Sequence, residues 1–460
     1  MTHMTGSIHN YIIPGARVHL SGIGGVSMCP LAEVLNGMGL AVQGSDMNDS
    51  TTVRHLRELG IRVHVGHEAA AIEGAQFLIR TAAVRDDNPE IVAARAAGIP
   101  VFERAEAWGA IMQQYRNAIC IAGTHGKTTT TAMTTHIFMA AQSDPTVMIG
   151  GTLPLLGSGY RVGTGQTIIL ESCEYCNSFH HFFPTVAVVL NVEEDHLDFF
   201  KDLQEIQQSF RRFAEITPAD GHVVVNADDE GAMEALKGMA HPLFTFSLHS
   251  TEADCRTENL VLTNGLPSFD IVVRGDIYTH VELQVGGTHN ISNALAAASS
   301  AWLLGVPGSA VKAGLEDFTG AGRRFEFKGE YNGAKIYDDY AHHPAELHAL
   351  LTMTRTLGYN RVICAFQPHT YTRTKALFDD FVRELQGADC VLLAEIFAAR
   401  EKNTLGISSA DLAREVPGAV YCSTLEDVTD RLRDMARPGD LILTVGAGNI
   451  YTAGEALAKL

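Results

Sequence analysis

Ile119-Cys120-Ile121-Ala122-Gly123-Thr124-His125-Gly126-Lys127-Thr128-Thr129-Thr130 places an apolar run, a glycine-framed turn and a hydroxyl-rich segment in immediate succession. The apolar run at 118–122 predicts a buried strand, and the residues after the turn, free of Pro and Gly, predict a helix. A strand, a glycine turn and a helix in this order bind phosphate in other proteins, because the backbone N–H groups of the turn and of the helix start face the anion. Lys127 adds a point charge and Thr128 an oxygen for Mg²⁺, so the stretch predicts a nucleoside triphosphate site.

The loop is shorter than the usual phosphate-binding pattern. That pattern has a glycine five residues before Gly126, and this chain has Ile121 there. The match is therefore Gly-x-x-Gly-Lys-Thr, which is less specific and depends on the flanking strand and helix for support.

Composition limits the class of protein. The chain has 460 residues, which is too long for one core and predicts two to four domains. A net charge of −19 argues against wholesale binding to nucleic acid or to an anionic membrane. No apolar run reaches the length of a membrane span, and residues 1–10 lack the pattern of a signal peptide. The eight scattered cysteines are typical of reduced thiols, so we expect a cytoplasmic protein without membrane insertion, either a monomer or a homodimer.

Short β-like runs alternate with helix-like ones, which predicts an α/β fold with parallel sheets covered by helices. We expect three domains: a Rossmann-like N-terminal domain at 1–116, a central phosphate-loop domain at 117–324, and a Rossmann-like C-terminal domain at 325–460.

The first domain carries a partial dinucleotide fingerprint. Gly22-Ile23-Gly24-Gly25 lies between a predicted strand and a predicted helix, and Ser45-Asp46 ends the next strand. Glycines permit a tight turn close to a pyrophosphate, and the acid suits a ribose. Ser27 stands where the third glycine would be, so both NAD and another diphosphate ligand stay open.

In the central domain, polar residues follow two predicted strands. Glu171 and Glu174 follow the first, and His196 lies after the second. Ligands in open α/β sheets lie beyond the carboxyl ends of the strands, so these side chains should converge with Lys127 and Thr128. Oxygen ligands and phosphate suit Mg²⁺, which predicts a metal site there.

Further polar motifs occur at later strand or helix ends. Asn290 and Asn293 lie three residues apart at the start of an Ala-rich helix, where they can contact a nucleotide or cap the helix. Arg324 lies in a glycine-rich junction, where its guanidinium can neutralise a transferring phosphoryl group. Two loops of the third domain, 338–344 and 366–373, contain clustered ionisable groups.

Taken together, the motifs resemble those of the Mur ligase family, the ATP-dependent ligases that add amino acids to UDP-N-acetylmuramic acid. The resemblance extends from Gly22 to Asn449. It is carried by Gly22-Ile23-Gly24-Gly25, Gly44-Ser45-Asp46, Asp87-Asn88-Pro89-Glu90, Gly123-Thr124-His125-Gly126-Lys127-Thr128, Asp338-Asp339-Tyr340-Ala341-His342-His343-Pro344 and Phe366-Gln367-Pro368-His369. Among the reactions of this family, the motifs are most similar to those of the members that add L-alanine.

The resemblance implies roles for individual residues. For UDP-N-acetylmuramic acid it implies Gly22, Gly24, Gly25, Ser45, Asp46, Thr81 and Ala82. For ATP it implies Gly123, Thr124, His125, Gly126, Lys127, Thr128, Thr129, Asn290, Asn293, Arg324 and Asp339. For Mg²⁺ it implies Thr128, Glu171 and His196, and for L-alanine His342 and Arg373. The catalytic residues would be Lys127, Glu171, His196, Arg324 and His342.

The implied reaction joins L-alanine to the muramoyl carboxylate through an acyl phosphate, releasing ADP and phosphate. Two departures from the family pattern stand out: Cys173 and Cys176 occupy positions where some relatives have acids, and Thr370 stands where some have arginine. Three alternatives stay open. They are a recycling ligase that attaches a tripeptide to the same sugar nucleotide, a nicotinamide-dependent dehydrogenase built on the Gly22 loop, and a catalytically silent UDP-sugar sensor.

Overall fold

The structure is a computed structural model that describes residues 7–25, 27–81, 83–197, 199–399 and 401–460. Its strands form three sheets, which follow one another along the chain. Most neighbouring strands are parallel, so the predicted α/β class is confirmed.

The first sheet has five parallel strands in the order β3-β2-β1-β4-β5. Its elements are β1 (Arg17–Ser21), α1 (Met28–Gly37), β2 (Ala41–Asp46), α2 (Thr51–Glu58), β3 (Arg62–Val65), β4 (Phe77–Arg80), α3 (Pro89–Ala96), β5 (Val101–Glu103) and α4 (Arg104–Met112). The chain order reverses on either side of β1, which makes the end of β1 the switch point where such sheets bind ligands. The Gly22 loop follows β1 directly.

The second sheet has ten strands in the order β15-β14-β13-β12-β11-β10-β6-β9-β7-β8. Its strands are β6 (Asn117–Ala122), β7 (Thr146–Leu153), β8 (Ser158–Arg161), β9 (Thr167–Glu171), β10 (Val186–Val189), β11 (His222–Asn226), β12 (Leu243–Ser247), β13 (Cys255–Thr263), β14 (Leu266–Val273) and β15 (Asp276–Glu282). Its helices are α5 (Lys127–Ala140), α6 (Leu203–Glu215), α7 (Glu230–Leu236), α8 (Thr288–Leu303) and α9 (Gly308–Asp317).

Strand β6 is covered on both faces, which explains its continuous apolar sequence. Ile119 and Ile121 pack into a core with α5, α8 and α9, whereas Cys120 packs into a core with α6 and α7 on the other face. Successive side chains of a strand point to opposite faces, so a strand between two helical layers has no solvent side.

One part of this sheet differs from the prediction of parallel strands. Strands β13, β14 and β15 form an antiparallel meander, and β8 pairs antiparallel with β7. The meander has an exposed face that includes Val261 and Ile277, as expected for antiparallel strands with one face in water.

The third sheet has six strands in the order β16-β17-β21-β18-β19-β20, and β16 alone of these pairs antiparallel with its neighbour. Its strands are β16 (Glu326–Tyr331), β17 (Ala334–Asp339), β18 (Val362–Phe366), β19 (Cys390–Ala394), β20 (Val420–Cys422) and β21 (Leu441–Val445). Its helices are α10 (Pro344–Arg355), α11 (Tyr371–Ala376), α12 (Phe378–Leu385), α13 (Ser409–Glu415), α14 (Leu425–Met435) and α15 (Tyr451–Leu457). In the part of the chain described, no helix combines the length and the apolar character that crossing a membrane requires.

Candidate functional site

The glycine turn after β6 has the geometry of an anion-binding loop. Gly126 has φ +80° immediately before α5, and a Cβ there would lie 2.7 Å from Asn293 Oδ1, so only glycine fits. Asn191, just after the neighbouring strand β10, fixes the turn by two hydrogen bonds. Its Oδ1 accepts the His125 N–H at 2.7 Å, and its backbone carbonyl accepts the Thr124 N–H at 3.0 Å. The helix starts at Lys127, directly after the turn.

Lys127 is engaged with its own loop and with an acid. Its Nζ donates to the carbonyl oxygens of Gly123 and Thr124 and lies 3.1 Å from Glu174 Oε2. Burial acts to lower the pKa of Lys127, but the Glu174 and Glu171 carboxylates raise it above its ordinary value. The ammonium group is therefore charged and is held between the loop carbonyls and Glu174.

Two candidate metal ligands are in contact. Thr128 Oγ1 donates to Glu171 Oε1 at 3.1 Å, and Glu171 Oε2 accepts the Gly150 N–H at 2.7 Å. His196 has φ +53°, and its Nε2 lies 3.5 Å from Glu174 Oε1. Burial lowers the pKa of His196, which favours the neutral ring that coordinates metals. The oxygens of Thr128 and Glu171 fit Mg²⁺, since hydroxyl and carboxylate oxygens are its preferred protein ligands, and His196 adds a ring nitrogen.

The two asparagines of α8 form a chain of hydrogen bonds to the phosphate-binding helix. Thr130 Oγ1 donates to Asn293 Oδ1 at 3.1 Å, and Asn293 Nδ2 donates to Asn290 Oδ1 at 3.2 Å. The helix cap is Gly287, so neither asparagine is needed there. Next to them, burial lowers the pKa of His289 to about 4.

Arg324 lies between the second and third domains. Its Nη1 is 3.6 Å from Glu346 Oε1, and its guanidinium carbon is 5.5 Å from the centre of the Tyr340 ring. Burial acts to lower the pKa of Arg324, but Glu346, Asp339 and Glu171 raise it. Glu171 is the candidate metal ligand, so the guanidinium charge acts on the phosphate site.

The end of β17 and the loop after it supply two of the predicted site residues, Asp339 and His342. Asp339 accepts the backbone N–H groups of Phe325 and Ala341, both at 2.8 Å, and burial raises its pKa to about 6. His342 Nδ1 is 3.0 Å from the Tyr340 carbonyl, and burial lowers the pKa of His342 to about 4. The ring is neutral near pH 7, with the proton on Nδ1 for that carbonyl and the lone pair on Nε2.

A small cavity lies between the second and third domains beside Arg373. Nε and Nη2 of Arg373 contact Asp195 Oδ1 at 3.1 and 2.7 Å, which joins the two domains by a buried ion pair. Burial acts to raise the pKa of Asp195, but Arg373 and His196 lower it. The cavity is lined by Glu194, Asp195, His196, Leu197, Thr370, Thr372, Arg373, Ala376 and Leu377.

The glycine loop of the first domain is closed onto Asp46. Asp46 Oδ2 accepts the Gly24 N–H at 2.9 Å, and a Cβ on Gly24 would lie 3.0 Å from the same oxygen. Gly22 has φ +79° and packs against Thr81, and Gly25 donates to the Gly22 carbonyl at 3.1 Å. The seventh residue predicted for this site, Ala82, lies outside the described residues.

Ser45 belongs to a buried polar cluster beneath that loop. Glu90 Oε2 accepts from Ser21 Oγ at 2.6 Å and from Ser45 Oγ at 2.7 Å, and it lies 3.3 Å from His19 and 3.2 Å from His67. Burial acts to raise the pKa of Glu90, but the hydrogen bonds from His19 and the two serines lower it to about 2. The Ser45 carbonyl accepts the N–H groups that follow Ser21, so the cluster supports the loop from below.

The structure brings most of the predicted residues together. Lys127, Thr128, Glu171 and His196 lie around one loop, and Arg324 faces it. Thr129 lies on the first turn of α5. Four acids to which the sequence assigned no site role also contact predicted site residues: Glu90, Glu193, Asp195 and Glu346. Glu90 lies within the 87–90 motif and Glu346 lies two residues after the 338–344 motif, so proximity to a family motif could have identified both as candidate site residues.

Family models match almost the whole chain. The Mur ligase family catalytic domain matches residues 17–116, the Mur ligase middle domain matches 121–301, and the Mur ligase glutamate ligase domain matches 323–448.

Relatives and solved structures agree with these matches. A UDP-N-acetylmuramate–L-alanine ligase of Clostridium novyi is 43% identical over 443 residues, which cover 95% of this chain and 96% of the relative. A solved UDP-N-acetylmuramate-alanine ligase of Thermotoga maritima is 28% identical with TM-score 0.78, covering 96% of this chain and 98% of that one. A murein peptide ligase of Psychrobacter arcticus has TM-score 0.71 at 23% identity, covering 97% and 98%, and shares the fold.

Proposed function

Because this chain belongs to the Mur ligase family, as its sequence motifs predicted, we propose that it joins L-alanine to the carboxylate of UDP-N-acetylmuramic acid at the cost of ATP. The observation that carries this choice is the 43% identity, over 95% of the chain, to a relative with the name of that activity. The products would be UDP-N-acetylmuramoyl-L-alanine, ADP and phosphate.

The reaction takes place in two steps. An oxygen of the muramoyl carboxylate attacks the γ-phosphorus of ATP, and the bond from that phosphorus to ADP breaks, which gives an acyl phosphate. The amine of L-alanine then attacks the acyl carbon, and the tetrahedral intermediate expels phosphate. A carboxylate is a poor electrophile until it is activated, which is why ATP is consumed.

The cationic groups of the site support the first step. The phosphate loop would receive the triphosphate on its N–H groups, with the charged Lys127 at the start of α5 and Arg324 facing the loop. These charges offset the repulsion between a carboxylate and a triphosphate, a task of positioning and electrostatics. Thr128, Glu171 and His196 would hold Mg²⁺, which supplies further charge neutralisation when bound.

The groups at the second and third domains support the second step. Arg373 at the small cavity would hold the alanine carboxylate, and the neutral His342 would accept a proton from the amine through Nε2. The ion pair of Arg373 with Asp195 joins the two domains here, and a closed junction excludes the water that would hydrolyse an acyl phosphate. UDP would lie at the Gly22 loop, at the switch point of the first sheet.

Phosphate release dependent on UDP-N-acetylmuramic acid, measured across a panel of amino acids and peptides, tests the proposal. We expect release with L-alanine and only background release with a tripeptide. Release with the tripeptide alone would assign the recycling reaction instead, and NAD(H) binding without ATP turnover would favour the dehydrogenase.

A further inference from the structure

Glu346 contacts three groups that belong to different parts of the site. It lies in the first turn of α10, directly after the 338–344 loop, and its side chain is 10% exposed. Oε2 accepts the His342 N–H at 2.9 Å and the His343 N–H at 3.3 Å. The second of these bonds is part of a capping box, in which an acid three residues after the helix cap accepts the N–H of the cap residue.

The other oxygen of Glu346 makes contacts that helix capping does not explain. Oε1 lies 3.3 Å from His125 Nδ1 in the phosphate loop and 3.6 Å from Arg324 Nη1. His125 and Glu346 belong to different domains, so this carboxylate connects the loop that receives ATP with the loop that carries His342. A cap residue on the surface of a helix needs neither contact.

The surroundings of His125 favour its charged form, which pairs with Glu346. Its ring faces Glu346 from α10 and Glu193 from the segment after β10, at 3.3 and 3.4 Å, and it lies against the ring of His343 with centroids 4.7 Å apart. Burial acts against the charge, but the two carboxylates raise the pKa of His125 to about 9. The imidazolium and the carboxylate therefore form a buried ion pair across the domain junction.

We propose that Glu346 is a positioning residue: it ties the phosphate loop, through His125 and Arg324, to the His342 loop, so that both substrates of the second step are aligned only when the two domains are joined. This proposal rests on the proposed function. It predicts that the charge of Glu346 matters beyond its hydrogen bonds to the backbone, because its loss leaves the His125 imidazolium with Glu193 alone and removes a carboxylate from Arg324.

Glu346→Gln separates the two tasks, since an amide oxygen still accepts the backbone N–H groups while the charge is lost. Displacements of about 1 Å cost about 100-fold in rate, so we expect kcat to fall about 100-fold, with KM for UDP-N-acetylmuramic acid unchanged because that site lies in the first domain. Glu384→Gln is the matched control. Glu384 pairs with His348 at 2.8 Å within the third domain and should leave kcat unchanged.

Coupling to His125 is tested by His125→Gln alone and together with Glu346→Gln. If the two residues act as a pair, the double variant loses about as much as Glu346→Gln alone; multiplied losses would overturn the proposal. An unchanged kcat in Glu346→Gln would also overturn the proposal. So would equal falls of kcat and Tm in Glu346→Gln and Glu384→Gln, since the loss of activity would then reflect loss of stability.

A second measurement does not depend on turnover. In histidine-labelled protein, with His125→Gln to assign the signal, NMR titration should give a pKa of His125 near 9 that falls in Glu346→Gln toward the ordinary 6.5. An unchanged pKa refutes the contact. If the wild type shows the high pKa but releases no ADP with L-alanine, the proposed function fails and the contact stands.

Discussion

Replacing Glu90 by glutamine should destabilise the first domain by an amount that the structure allows us to work out. The side chain is fully buried, and its hydrogen bonds lower its pKa from 4.5 to about 2. At about 1.4 kcal/mol per pH unit, this difference is equivalent to about 3 kcal/mol of stability at pH 7. Glutamine keeps the shape of the protonated acid but has no charge, so Glu90→Gln should lose about that amount.

The sign of the pH dependence follows from the lowered pKa. Stabilisation by the carboxylate is complete above the unfolded-state pKa near 4.5 and is lost as the pH falls toward 2. The gap between wild type and Glu90→Gln should therefore be about 3 kcal/mol at pH 7 and shrink to about half of that at pH 3.

Urea unfolding followed by tryptophan fluorescence measures this gap. The chain has two tryptophans, and Trp302→Phe leaves the buried Trp108 of α4 as the reporter of the first domain. Glu68→Gln is the control, because Glu68 is largely exposed and 3.7 Å from His64, so its loss should change stability by less than about 0.5 kcal/mol. A gap near zero at pH 7, or one of equal size at pH 3, would refute the reasoning.

Three further predictions concern activity. Lys127→Met should lower the rate of ADP release at least about 100-fold, because it removes a preorganised cation at the phosphate loop, whereas the surface variant Lys312→Met should not; steady-state assays with all three substrates decide this. Gly24→Ala should raise KM for UDP-N-acetylmuramic acid about 10-fold, since its Cβ would lie 2.9 Å from Val53 Cγ2, while Gly37→Ala, with open space around it, should leave KM unchanged. The contribution of His342 should fall with an apparent pKa near 4, because burial keeps the ring neutral down to that pH; an acid limb near 6.5 that disappears in His342→Gln would contradict this.

The phosphate loop could be predicted from sequence because its signals are local. Five apolar residues, two glycines and a lysine lie within a dozen positions, and burial on both faces makes β6 apolar throughout. The β13–β15 meander could not be predicted this way. Its register depends on pairing between strands, and one of its faces is in water, so residues such as Val261 and Ile277 follow no core pattern.

The acids that complete the site were harder to foresee than the cations. Asp195 and Arg373 are 178 residues apart, and only the docking of two domains makes them partners. Glu346 has the sequence position of an ordinary helix-capping acid, and nothing local reveals that its second oxygen faces His125. Glu90 belongs to a family motif, but its burial among two serines and two histidines depends on β1, β2, the segment after β3 and α3 meeting in space.

Because Lys127 is paired with Glu174, nucleotide binding exchanges one anionic partner of the lysine for another. The ammonium group is already neutralised by a carboxylate 3.1 Å away, and two loop carbonyls occupy its remaining donors. A polyphosphate that binds to Lys127 must therefore compete with the Glu174 carboxylate. Once displaced from Lys127, Glu174 still has His196 at 3.5 Å as a possible counter-charge. Nucleotide binding at Lys127 therefore includes the loss of this ion pair, so the affinity for the polyphosphate depends on Glu174 as well as on the lysine.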